Sequence, residues 1–306
     1  MSEDARNAQV VSSPALETPM RTFYRNFFSS RVATIGLVGL ALIFLAALLA
    51  PVIAPQNPYD LATLDIMHSR LQPGERSLDG QLIFVLGTDE QGRDMLSAIL
   101  YGIRISIIVG FASTTIALAL GLLAGLIAGY AGGRVDSLIM RAADIQLSFP
   151  PILIALILLA LTGPGVSKII VALVAVQWAY YARTARSAAL VEREKPYMEA
   201  AVILGLSPLR IIARHLLPNC MPPLVVVAAL QVASAISLEA TLSFLGLGLP
   251  VTEPSLGLLI ANGFQYLLSG KYWISFYPGI ALLLTIVAIN LVADHLRDIL
   301  NPQLAK

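Results

Sequence analysis

Between Arg104 and Arg134 the chain reads ISIIVGFASTTIALALGLLAGLIAGYAGG, Ile105 to Gly133, without one charged side chain. A helix needs about 20 apolar residues to cross the hydrocarbon of a bilayer, so this stretch is long enough to span one. Gly121, Gly125 and Gly129 recur in it at every fourth residue, a small-xxx-small stripe that lets a second helix backbone approach closely in lipid. Charge-free gaps of similar length recur at 32–59, 145–167, 215–238 and 272–293. A sixth, 169–182, is shorter, but Lys168 and Arg183 can snorkel from its ends, and Trp178, Tyr180 and Tyr181 suit an interfacial aromatic cluster. A buried helix of soluble type is the competing reading of that gap. The pattern predicts an all-α polytopic membrane bundle of six transmembrane helices, at about 32–54, 104–130, 138–161, 166–187, 221–246 and 274–294. Pro150 and Pro151 should kink the third.

Composition agrees with lipid as the main solvent. Of 306 residues, 57% are hydrophobic and 13% charged, about half the charged share of a soluble domain, and the mean hydropathy is +0.77. The net charge of +1 gives no field for collecting nucleic acid. Cys220 is the only cysteine, which excludes an intrachain disulfide and a cysteine-built metal site. With both termini in the cytoplasm, only Arg70, Arg76, Arg93, Arg104, Lys168 and Lys271 of the 20 basic residues fall outside, the sign required by the positive-inside rule.

The polar segments divide the chain further. Residues 1–31, with Pro14 and Pro19, read as a cytoplasmic N-terminal arm. The competing reading is a cleaved signal peptide, whose apolar core should end after about 7 to 15 residues rather than run from Val32 to Ala54. Residues 55–102 read as an extracytoplasmic insertion with seven carboxylates, and its end, Gly87 to Asp94, as a solvated turn without the ligand spacing of a calcium loop. The apolar run Ser255 to Leu268 is expected at the membrane interface. Residues 103–293 form the core, and 294–306 a cytoplasmic tail.

Catalytic chemistry is hard to find. Each of the four lysines lacks a glycine-rich phosphate loop around it. His68, His215 and His295 lie far apart and on different expected sides of the membrane, so no metal site is assigned. There is no Gly-x-Ser-x-Gly. Glu239 is the one carboxylate clearly inside an expected span. It is a candidate pathway or partner contact, with a snorkelling helix-end glutamate as the alternative.

The segment 191–219 carries the strongest functional signal. Pro196 suits a first helical position and Gly205 the left-handed residue after a helix end. Ser207 fits an N-cap before Pro208. Leu209, Ile212, Ala213 and Leu216 would then form one apolar face, with Pro218 stopping the helix. Helices this short are marginal in water, so the hairpin must dock on the bundle, on another subunit or on lipid headgroups.

The run Glu199-Ala200-Ala201, three residues, Gly205, nine residues, then His215, Leu216, Leu217 and Pro218, resembles the EAA loop of ATP-binding-cassette (ABC) importer permeases. His215 before Leu-Leu-Pro is familiar in the peptide and nickel branch. Other segments resemble the C-type subunit of the dipeptide/oligopeptide/nickel permeases: Gly87 to Asp94 with Tyr101 to Ser106, Tyr130 to Gly133 with Asp136, Arg141 and Asp144, Leu242 to Gly248, and Asp294 to Asp298. Leu256-Gly257 departs from the family's Trp-Gly, and Asn301-Pro302 from its Asp-Pro. The resemblance implies a type I ABC importer permease in the bacterial inner membrane, with 55–102 in the periplasm and no enzymatic role of its own. It implies that Glu199, Ala200, Ala201, Gly205, Leu217 and Pro218 couple to one or two separate ATPase subunits, which bind ATP and Mg, so this chain carries no cofactor. It further implies a heterodimer with a second homologous permease and delivery of substrate by a periplasmic solute-binding protein. Di- or oligopeptides are the expected cargo, with nickel, opines, glutathione and oligosaccharides as alternatives. A stand-alone channel or secondary carrier is the rival of a different class; it would need ionisable groups in the spans, where only Glu239 is offered.

Overall fold

A computed structural model describes residues 19–60, 64–80 and 82–300. Most of the N-terminal arm, Asn301-Pro302 and the end of the tail lie outside the described residues. The order is α1 (Pro19–Ser29), α2 (Arg31–Ile53), β1 (Glu75–Arg76), β2 (Ile83–Phe84), α3 (Met95–Ala131), α4 (Gly133–Ser148), α5 (Pro151–Thr162), α6 (Val166–Arg193), α7 (Pro196–Ile203), α8 (Pro208–Ile211), α9 (Leu217–Phe244), α10 (Leu256–Phe264) and α11 (Trp273–Leu300). The two strands are antiparallel, with Glu75 opposite Phe84.

Among the described residues, four helices are long and apolar enough to cross a membrane: α2, α3, the continuous run Pro208–Phe244 and α11. The pair α4 and α5 makes a fifth if counted as one broken span. Its prolines do more than kink it. Phe149 and Pro150 are extended, as a residue before proline prefers, Pro151 opens α5, and the two axes differ by 91°. The expected fourth span, α6, does not pass on composition. The reason is its position: Ile169, Leu173, Val176, Ala182, Ala185 and Ala189 are buried against other helices, so it has little lipid-facing surface to fill with large apolar side chains.

The glycine stripe of α3 sets that packing. A methyl on Gly125 would meet Ala185 Cβ at 2.6 Å, and one on Gly129 would meet Ala189 Cβ at 2.7 Å. The close helix partner is therefore α6 of the same chain rather than another subunit. On α2 the buried residues are small (Ala33, Gly36, Ala47 and Ala50), whereas Ile35, Leu42, Leu48 and Val52 are exposed, as a peripheral helix facing lipid requires.

The run Ser255 to Leu268 departs from the interfacial expectation. Its first half is α10, capped by the Ser255 hydroxyl accepting from Leu258 N–H at 3.1 Å, and Leu256, Leu258 and Leu259 are buried. Gly257 lies directly on the Ala240 backbone of α9, and Leu256 joins Met95, Ile99 and Trp273 in one cluster.

Candidate functional site

The segment 191–219 is built on the end of α6. The Glu192 carboxylate accepts from Lys195 Nζ at 2.6 Å and from the Tyr197 hydroxyl. Asn219 at the start of α9 donates to Tyr197 Oη at 3.2 Å and to the His215 carbonyl at 2.7 Å. One carboxylate thus ties α6, α7 and α9 together. Burial alone would raise Glu192, but the hydrogen bonds from Lys195 and Tyr197 and the Lys195 charge outweigh it and hold the carboxyl below its ordinary value. The Tyr197 phenol, desolvated and donating to that carboxylate, is pushed up to about 12.

Helix α7 ends in a Schellman motif. Gly205 has φ +68°, its N–H donates to Val202 C=O at 2.9 Å, and Leu206 N–H donates to Ala201 C=O at 3.2 Å. Space does not demand glycine here, since an added Cβ meets nothing within 4 Å; the left-handed backbone does. Met198 and Ala201 face inward, packing with Ile211, Leu216 and Cys220. Glu199, Ala200, Val202, Ile203 and Leu204 face outward, Ile203 at 85% and Leu204 at 77% exposure, and Leu209 beside them is equally bare. Beneath this ridge lies a groove of about 890 Å³ lined by Tyr130, Arg193, Glu199, Val202 and Ile203.

The second helix of the loop differs from its sequence pattern. Leu209 and Ala213 are exposed, whereas Ile211 and Leu216 are buried. The cause is a π-helical turn over Ile212–Leu216, in which Leu217 N–H reaches the Ile212 carbonyl. One wide turn advances the buried face by five residues instead of four. Pro218 does not stop the helix. Lacking an N–H and needing room for its ring, it follows the wide turn and sits in the first turn of α9, with Leu217 half-buried beside it.

Other sequence expectations are placed as follows. Glu239 is fully buried, with Oε2 accepting from Ser106 Oγ at 3.1 Å and Oε1 from Ser243 Oγ at 2.8 Å. It bridges α3 and α9 and has no surface open to a path, to lipid or to a partner. The Gly87 to Asp94 segment is not a solvated turn, for Thr88, Asp89, Arg93 and Asp94 are buried. Arg93 Nε meets Asp89 Oδ2 at 2.6 Å, and Arg93 Nη1 reaches the Val251 carbonyl at 3.3 Å. Asp94 Oδ2 caps α3 through Ser97 N–H at 2.8 Å, and Trp273 Nε1 donates to the Thr88 carbonyl at 3.2 Å. The segment pins the polar insertion to the start of α3, to α11 and to the loop after α9. Sequence reading also missed the pairing of α4 with α6, where Arg186 Nη2 meets Asp136 Oδ2 at 2.6 Å and Arg183 meets Asp144. The clustering of those charges just beyond charge-free stretches was the available signal.

Such a bundle, with an apolar ridge displayed on a short helix between two long ones, is that of a multi-pass membrane protein. Residues 121–306 match the model of the binding-protein-dependent transport system inner membrane component, and residues 18–73 that of the N-terminal transmembrane domain of oligopeptide transport permease C. The chain is 38% identical over 296 residues to the di/tripeptide transport system permease protein DppC of Pseudomonas aeruginosa, covering 96% of each. It is 38% identical over 304 residues to the dipeptide transport system permease protein DppC of Escherichia coli, covering 99% of each. A putative peptide transport system permease of Brucella suis is 40% identical over 295 residues, covering 96% of this chain and 94% of the relative. Among solved structures, a chain of the MetNI methionine ABC transporter in an inward-facing conformation superposes with a TM-score of 0.56 at 19% identity, covering 68% of this chain and 98% of that one. The chain therefore belongs to the binding-protein-dependent transport inner membrane components, in the dipeptide/oligopeptide branch of the ABC importer permeases.

Proposed function

We propose that this chain is one permease half of an ABC importer that carries di- and oligopeptides across the bacterial inner membrane. In this reading it pairs with a second homologous permease, receives cargo from a periplasmic solute-binding protein, and is driven by one or two kinds of ATPase subunit that bind the ATP and Mg. The spans are α2, α3, the α4–α5 pair, α6 to about residue 187, α9 from about residue 221, and α11, with both termini in the cytoplasm; the basic residues counted above support this orientation. Full-length similarity to permeases named for di- and tripeptides supports the cargo.

The observation that carries the coupling role is the bare apolar ridge of Val202, Ile203, Leu204 and Leu209 on an otherwise anchored loop. A patch of that kind, in a segment too polar on its flanks to enter lipid, is suited to a protein groove. Motion of an ATPase holding the ridge would pass through Met198 and Ala201 to α9, and through Tyr197 and Glu192 to α6. The close glycine contacts then carry α6 and α3 together. The chain's own residues perform no covalent step. Purification from its native membrane tests the reading: an ATPase chain should co-purify, and full uptake by a lone homomer would replace this reading with a channel or carrier.

A further inference from the structure

A trough of about 420 Å³ opens between α6, α9 and α11, within the roughly 300–1,000 Å³ of small-molecule sites. Its polar lining is Gln177, Gln231, Ser234, Ser237, Thr241 and Asn290, with Tyr180 at one edge and no charged side chain. On α9 the steps from Gln231 to Ser234, Ser237 and Thr241 keep these side chains on one face over about 15 Å. Ser234, Thr241 and Tyr180 are exposed. The Thr241 hydroxyl is already bound to the Ser237 carbonyl at 2.8 Å, but Gln231 and Ser234 within a membrane helix cannot face hydrocarbon without cost, so the stripe faces water, cargo or a partner subunit. Gln177 adds an independent observation. It is only 3% exposed, its Nε2 donates to the Gln231 carbonyl at 3.0 Å, and its Oε1 has no donor among the described residues. A buried amide oxygen left unpaired is costly, and sites that persist in that state commonly await a partner. Towards α10 the trough runs into an apolar hollow of about 300 Å³, which shares Ser237, Thr241 and Ile286 with it and adds Phe244, Ile260 and Leu282.

We propose that this trough is the cargo-contacting surface of the chain, and that it takes uncharged amide groups along the α9 stripe while the apolar hollow accommodates an adjoining side chain. The lining offers hydroxyl and amide groups that match the N–H and C=O of a peptide bond. It offers no histidine, cysteine or carboxylate to a metal ion and no counter-charge to a charged side chain. Because its hydrogen-bonding groups meet only the backbone, the trough is permissive towards cargo sequence except at the apolar hollow. The inference rests on the peptide-importer reading and deepens it.

The test uses cells carrying the whole transporter, radiolabelled glycyl-leucine as cargo and a water-soluble cationic thiosulfonate as label. Ser234→Cys and Ser237→Cys should react with the label and be protected by glycyl-leucine, whereas Leu283→Cys, on the exposed apolar face of α11, should not react. Ser234→Ala and Gln177→Met should raise the KM for uptake roughly three- to tenfold, the worth of one hydrogen bond. Normal wild-type uptake combined with unreactive cysteines at 234 and 237, reactivity without protection, or an unchanged KM in both variants would overturn the trough alone. Absence of glycyl-leucine uptake by the wild type would overturn the peptide-importer reading and the ligand class with it.

Discussion

The Tyr197 hydroxyl donates its hydrogen bond to the Glu192 carboxylate, joining the first turn of α7 to the last turn of α6. Because α7 carries the exposed ridge, this bond lies on the direct route from that ridge to the bundle. Tyr197→Phe keeps the ring and removes the donor, so ATP-driven uptake should fall several-fold while membrane insertion is unchanged.

The same pair fixes a pH expectation. The Glu192 carboxyl lies below its ordinary 4.5, so its contribution is complete above that value and is lost as pH falls through the lowered one. The Tyr197 phenol is raised from 10.0 to about 12, so its contribution is complete below 10.0 and is lost as pH rises through about 12. Neither group titrates near neutrality. The ratio of Tyr197→Phe to wild-type uptake should therefore be flat from about pH 6 to 9, and a sloping ratio would remove this pair from the coupling route.

At Gly205 the left-handed backbone costs an ordinary residue about 1–2 kcal/mol, and asparagine less. Uptake per ATP hydrolysed should fall in the order Gly205, Gly205→Asn, Gly205→Val, with expression unaltered. Equal coupling in all three would separate the turn from function.

Gly125→Leu forces α3 away from α6, and overpacking of this kind costs about 1–3 kcal/mol or more. The variant should lower the temperature of detergent-induced aggregation. Gly279→Ala, where an added Cβ meets nothing within 4 Å, should leave it unchanged.

Asp89→Asn strips a buried guanidinium of its one anionic partner among the described residues, a change that typically costs about 3–5 kcal/mol. Limited proteolysis should then cut the insertion between residues 55 and 94 more rapidly. Pairing it with Arg93→Met should recover part of the protection, and no recovery would mean that the pair is not the fastening.

The legibility of this fold follows the physics of its solvent. Charge-free gaps exposed α2, α3, α9 and α11 because lipid admits few charges, and the gap starting at Ile145 located α5. Helix α6 was faint because an interior helix is relieved of the need for apolar residues all round. The wide turn before Pro218 was illegible for another reason: periodicity assumes 3.6 residues per turn, and a single π turn shifts the phase, burying Ile211 where the pattern chose Leu209. The Gly87 to Asp94 segment misled because its acids look solvated, although Asp89 is consumed by Arg93 four residues on. Glu239 looked like a helix-end or pathway residue because the two serines that enclose it, Ser106 and Ser243, are 137 positions apart in the chain. The trough on α9 was overlooked because glutamine, serine and threonine interrupt no charge gap.

The coupling assignment meets its most direct test in co-purification of the double variant Ile203→Asp/Leu204→Asp from membranes. Both side chains are exposed, so the fold and insertion should survive the change. If the ridge seats in an ATPase subunit, two carboxylates there should release the ATPase chain from the complex and abolish ATP-driven uptake. Full retention of the ATPase chain with unchanged uptake would contradict the assignment.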